Sequence, residues 1–219
     1  MTAPSVVPLW RRAAARLARL VSWVNPVWFV IVVAAVIVLL AVTGTLERYF
    51  FPAWEWADLD SEEAVPKWMA GGLLWTAAGC WLLVAATGRA RTRAAWWWGL
   101  ALAWLALDEG LWIHERLERS SGVDWQLLYL PVIAAAGLLG LLVLLAQRNQ
   151  PPVFRAMLAG GGAWAAALLL ELIQNWGGPP IDWTWYSPMM IAEETIEMAG
   201  SMLIVMAALL VLRAPEPGT

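Results

Sequence analysis

The sequence predicts an all-α membrane protein: a bundle of six transmembrane helices preceded by an N-terminal interfacial amphipathic helix. Three observations predict it. The 219 residues are 61% hydrophobic and only 14% charged, which is the composition of one helical membrane domain. Six apolar runs of about twenty residues follow one another, each long enough to cross about 30 Å of hydrocarbon. The Lys and Arg residues are shared unequally between the two sides that those runs define.

The elements can be justified in order. In Leu9–Val24, Arg11, Arg12, Arg16 and Arg19 share one broad helical face, and Leu9, Ala13, Leu17, Leu20 and Val24 share a narrower arc beside it. Such a helix lies in the inner-leaflet interface, attracted to anionic lipid. The six spans run over Val27–Leu46, Trp68–Thr87, Ala94–His114, Leu127–Ala146, Ala156–Trp176 and Met189–Leu212. The first is too long to read as a cleaved signal peptide. Pro131 falls in the first turn of the fourth, where proline is tolerated. Ser187 and Pro188 read as the N-cap and first residue of the sixth. The domain division is an interfacial helix over residues 1–25, a transmembrane domain over 26–213 and a tail over 214–219. With the N-terminus inside, ten basic residues lie on the cytoplasmic side and four (Arg48, Lys67, Arg116 and Arg119) outside. The expectation is a multi-pass protein of the plasma (inner) membrane with both termini cytoplasmic.

Other features bound the function. The single cysteine, Cys80, lies in an apolar run, so no intrachain disulfide forms. The eighteen tryptophans suit membrane interfaces; Trp75, Trp104 and Trp164 lie deeper and are expected to fill helix contacts. No nucleic-acid motif is present and no basic domain stands apart, so the expected partners are the bilayer and either another membrane protein or a second copy of the chain. The long outer connections, 48–67 and 176–188, are placed to cap the outer side.

The chemistry is expected where acids enter the membrane. Sixteen of seventeen acids lie in outer loops or outer helix ends. In the third, fifth and sixth spans, reading from the cytoplasmic end, the first carboxylates are Asp108 with Glu109, Glu171, and Glu197 with Glu194 and Glu193. Each follows about fifteen uncharged residues, which puts it roughly 21–24 Å into the hydrocarbon layer. Ionisable groups at that depth are costly and usually functional. On a continuous third helix, Asp108 and Glu115 share a face and His114 flanks it. Glu171 and Asn175 pair at i,i+4, as do Glu193 and Glu197. Gly200 and Ser201 let a neighbouring helix approach, and Gly160, Gly161 and Gly162 read as packing glycines.

So many close carboxylates cannot all stay ionised unpaired, and no basic residue lies inside those half-spans. A divalent metal would balance them. The expected ligands are Asp108, His114, Glu115, Glu171, Glu194 and Glu197, with Glu109, Asn175 and Glu193 behind them. Carboxylates with one imidazole suit Zn, Mn or Fe, and an all-oxygen subset suits Ca or Mg. With one histidine in the chain, the two-histidine di-iron pattern, the His-Glu-x-x-His zinc pattern and bis-histidine haem are excluded. Asp108, Glu171 and Glu197 are expected to converge, with carboxyl groups within about 10 Å.

The pattern Leu107-Asp108-Glu109…His114-Glu115, followed by Glu193-Glu194-x-x-Glu197-x-x-Gly200, resembles one found in uncharacterised bacterial multi-pass membrane proteins. The resemblance covers the third and sixth spans, implies a plasma-membrane protein and brings no activity. Three functions stay open: a metal-binding protein, including a metal-dependent membrane enzyme; a structural or assembly subunit of a membrane complex, its acids hydrogen-bonded; and a proton- or cation-coupled transporter. The uncharged inner half-spans speak against the last.

Overall fold

The computed structural model describes residues 8–51, 53–59, 64–175 and 183–214, with backbone alone at residue 175 and residues 183–187. Among the described residues every regular element is a helix: α1 (Leu9–Val21), α2 (Pro26–Phe50), α3 (Val65–Ala86), α4 (Ala94–Leu111), α5 (Ile113–Ser121), α6 (Trp125–Ala146), α7 (Pro151–Asn175) and α8 (Trp183–Arg213), with one 3-10 turn at Glu55–Ala57.

Helix starts follow local chemistry. The Asn25 side chain accepts a hydrogen bond from the Val27 amide at 2.9 Å, with Pro26 opening α2. Asp124 does the same for the Gln126 amide at the start of α6, at 2.8 Å. Each side chain satisfies an amide that the first helical turn leaves without a partner.

Five helices are long and apolar enough to cross a membrane: Pro26–Phe50, Val65–Ala86, Trp125–Ala146, Pro151–Gln174 and Pro188–Arg213. The protein is therefore a membrane protein. Helix α8 is its axle, with 61% of its most apolar window buried against 22% for α2. It packs against α1, α2, α3 and α7, and α4 joins through α3 and α6. The outward residues of α2, including Val27, Trp28, Ile31 and Val32, are exposed and apolar, a surface suited to lipid.

The structure corrects several expectations. The third run does not continue to His114: α4 stops at Leu111, and Trp112 adopts a left-handed conformation (φ 53°, ψ 42°) before α5 begins. Its acids and tryptophans also keep it apart from the five plainly apolar helices. Helix α8 starts at Trp183, so Ser187 and Pro188 do not open it; Pro188 lies inside. Pro131 likewise lies inside α6, beyond its first turn. In α1 Ala14, Ala18 and Val21 pack on the bundle and Leu9, Leu17 and Leu20 are exposed, which leaves the expectation of a lipid-facing apolar arc standing. Trp75 and Trp104 are also exposed rather than filling contacts. Residues 60–63 and 176–182 of the outer connections lie outside the described residues. The described part of the first connection packs on α2, where Leu59 sits so close to Gly44 that any Cβ there would meet it at 2.6 Å.

Away from the acids, polar clamps on backbone tie the bundle. Trp81 donates to the Ile204 carbonyl at 3.2 Å. Buried Gln147 donates to the Ala90 carbonyl at 2.9 Å. Arg89 donates to the carbonyls of Leu212 and Ala214, capping the C-terminus of α8. Cys80 is buried and unpaired.

Candidate functional site

Helices α4, α6, α7 and α8 border a partly open cavity of about 640 Å³. One end of it is polar. Asp108, Glu109, His114, Glu115, Glu171, Glu193, Glu194 and Glu197 all line it. The acids of three separate helices thus meet in one space, which their common depth alone did not guarantee. Asp108, Glu171 and Glu197 all face this cavity rather than lipid.

The break at Trp112 builds the centre of the site. A left-handed residue other than glycine costs about 1–2 kcal/mol. Asp108 accounts for the bend. Its Oδ1 accepts the His114 amide at 3.0 Å, so the carboxylate caps the amino end of α5. Its Oδ2 lies 2.8 Å from His114 Nδ1. Tyr129 on α6 donates its hydroxyl to Asp108 Oδ1 at 2.7 Å. His114 is therefore held by Asp108 rather than set beside Glu115 on one helix face. Burial opposes a charge on His114, but the bond to Asp108 and the fields of Asp108, Glu109 and Glu115 outweigh it and raise its pKa. Its ring also packs on Trp125, with centroids 4.8 Å apart.

Each remaining acid has its own setting. Glu171 accepts hydrogen bonds from Trp125 Nε1 and, at 3.1 Å, from Gln126 Nε2. Glu193 accepts one from Gln174 Nε2. Lys67, at the start of α3, reaches Glu194 at 2.8 Å and Glu109 at 3.7 Å. The second distance exceeds hydrogen-bond length, so the buried Glu109 Oε1 has an ionic partner and no hydrogen-bonded one. Glu115 pairs with Arg119 at 2.9 Å in a more exposed setting at the mouth. Glu197 forms neither a hydrogen bond nor an ion pair among the described residues, and it faces the cavity. The Asn175 side chain lies outside the described residues; Gln174 does the hydrogen bonding there.

One correction follows. The site does contain a basic partner, Lys67, which reaches in from the first turn of α3. Among the described residues no three His, Cys, Asp or Glu side chains are gathered as they would be around a metal ion. Sequence reasoning also missed Trp125, Gln126 and Tyr129. Gln126 and Tyr129 sit at i,i+3 near the amino-terminal end of an otherwise apolar run, a polar pair that could have signalled a facing acid.

The seam beside the cavity bears out the reading of Gly160 and Gly200. A Cβ on Gly160 would lie 3.0 Å from the Gly200 carbonyl oxygen, and one on Gly200 would lie 2.6 Å from Trp164 Cδ1. Trp164 Nε1 donates to Ser201 Oγ across the same seam at 3.1 Å.

A family described as a domain of unknown function, DUF8692, matches residues 27–212, the whole transmembrane bundle. No curated protein and no solved structure matches the chain.

Proposed function

The chain belongs to the DUF8692 family of domains of unknown function, and from its geometry we propose that it is a six-crossing plasma-membrane protein whose outer half binds a divalent metal. In this reading α4 is the third crossing: its 18 residues span about 27 Å, and its acids sit at the outer edge. Both termini are cytoplasmic, supported by the ten-to-four distribution of basic residues. Residues 1–25 lie on the inner interface, 26–213 form the bundle and 214–219 are the tail.

One observation carries the metal reading. Asp108 engages His114 Nδ1 and leaves Nε2 without a hydrogen bond among the described residues, in a cavity shared with Glu171, Glu193 and Glu197. A carboxylate behind a histidine is how metal-binding imidazoles are oriented. Asp108 then acts behind the ligand instead of as one. His114 Nε2, Glu171 and Glu197 are the ligands, and Glu193 stands beside them. Glu194 and Glu115 are occupied by Lys67 and Arg119. His114 Nε2 would supply a nitrogen and Glu171 and Glu197 oxygens to such an ion, which would balance their charge. The mixed oxygen and nitrogen donors suit Zn, Mn or Fe over Ca or Mg. As an enzyme site, it would activate water at the metal, with an unliganded glutamate moving protons.

Elemental measurement on protein purified without chelator tests this. Bound metal near one per chain is expected, with the Glu171→Gln/Glu197→Gln variant losing it and melting lower. Metal-free protein whose melting ignores chelator would reject the reading. Topology is tested separately by labelling single cysteines at positions 60 and 91 in a Cys80→Ala background. Labelling of position 91 from outside intact cells would reject the orientation.

A further inference from the structure

The acids occupy only the outer end of the cavity. Along α7 its lining runs from Gln174 to Met157, and along α6 from Trp125 to Leu144. At 1.5 Å per residue these stretches are about 26 and 28 Å long, close to the full hydrocarbon thickness. The inner part is lined by apolar residues such as Trp98, Leu102, Leu141, Leu144 and Leu158. It is a long apolar slot with a polar head-end.

Glycine keeps the slot open. Gly137 on α6 and Gly161 and Gly162 on α7 line it, and a Cβ on any of them would meet nothing within 4 Å. They are not packing glycines, unlike Gly160 one residue earlier. A glycine inside a helix costs about 0.5–1 kcal/mol against alanine, so three of them facing an open slot call for an explanation other than helix contact. The slot's width identifies the kind of occupant. Spread over about 26 Å, and with the radius of a water molecule added on each side, 640 Å³ makes a slot about 8 Å wide. A single aliphatic chain fits it, whereas a helix with its side chains, about 10–12 Å across, is wider than the slot.

We propose that the cavity binds a membrane amphiphile, with one aliphatic chain in the slot between α4, α6 and α7. Its head carries hydroxyl or amine donors and no net negative charge. The head-end supports that charge: eight carboxylates line the cavity, against Lys67 and His114. Glu197, which has no partner among the described residues, is the first acceptor for a donor on the head. The proposal does not depend on the metal, and its test is run in chelator, so the two readings fail separately.

The test is native mass spectrometry of the full chain in detergent with three probes that share one chain: hexadecylamine, hexadecanol and hexadecanoic acid. One amine or alcohol per protein is expected, retained at least tenfold more strongly than the acid. Gly137→Leu/Gly161→Leu, which fills the slot, is expected to lose that retention at least tenfold with its melting unchanged. Gly79→Leu, which also faces open space but lies outside the lining, is expected to behave as wild type. Equal binding of all three heads overturns the proposal, because hydrocarbon would then be filling a void without recognition. Unchanged retention by the slot-filled variant overturns it too. If that variant fails to fold, the three probes on wild-type protein still decide.

Discussion

Two faces of α7 use the same residue type for opposite ends. On one face Gly160 brings the helix against Gly200 of α8, backbone to backbone. On the other, Gly161 and Gly162 leave a slot that α6 does not fill. Successive residues on a helix differ by about 100° in direction, so Gly161 and Gly162 point about 100° and 200° away from Gly160 and do not share its neighbour. A glycine therefore reports only that a side chain is absent. Whether a helix or a cavity takes up the space depends on what stands opposite. In this protein the seam fixes α7 on the α8 axle, and the opposite face of the same helix builds the cavity.

Substitutions can break or sharpen that contrast. The largest effect is expected at the seam. Gly200→Leu would drive a side chain into Trp164 and the Gly160 backbone, and neither can yield far; a loss of about 3 kcal/mol or more is expected. Thermal melting in detergent measures it, and an unperturbed melting curve would mean that the seam is not close-packed. Next comes Lys67→Met, at the cavity's polar end. It leaves Glu194 and Glu109 buried without their cation, and a loss of about 3 kcal/mol is expected from an uncompensated buried charge. Metal added to that variant would restore part of the loss if a cation can stand in for the lysine.

Asp108→Asn is expected to act on function before stability. It keeps the size of the side chain and weakens the grip on His114 Nδ1. Metal affinity should fall about 10- to 100-fold, as when other partners behind a metal-binding histidine are removed. Competition with a chelator of known affinity reads this directly, and an unchanged affinity would remove His114 from the ligand set. The smallest effect belongs to the open face: Gly162→Ala should raise stability by about 0.5–1 kcal/mol. A loss there would show that Gly162 packs against something after all.

Much of the site was legible in the sequence, and particular residues show where legibility ends. That Asp108, Glu171 and Glu197 lie at one level along their helices followed from counting uncharged residues, because helical rise is fixed by the backbone. Their meeting in one cavity was an expectation that the helix azimuths could have defeated. The face shared by Asp108 and Glu115 was misread because it assumed a continuous helix. Nothing in the run Leu111-Trp112-Ile113 marks a left-handed residue; the bend is held by bonds that Asp108 makes after the chain has turned. Lys67 was placed next to the acids' end of the spans in the sequence, yet its reach to Glu194 required α3 and α8 to lie side by side.

The sequence by itself determined that the chain is helical and membrane-borne, roughly where the five helices able to cross a membrane lie, and at what level along its helix each acid sits. Those are properties of consecutive residues: apolar length sets what can span a bilayer, and rise per residue sets depth. Only the tertiary structure decided which carboxylate holds His114, which two share Lys67, which glycines close a seam and which keep a slot open. Those depend on the rotation and approach of helices far apart in the chain. Such contacts are fixed by packing the whole bundle at once, and no local pattern encodes them.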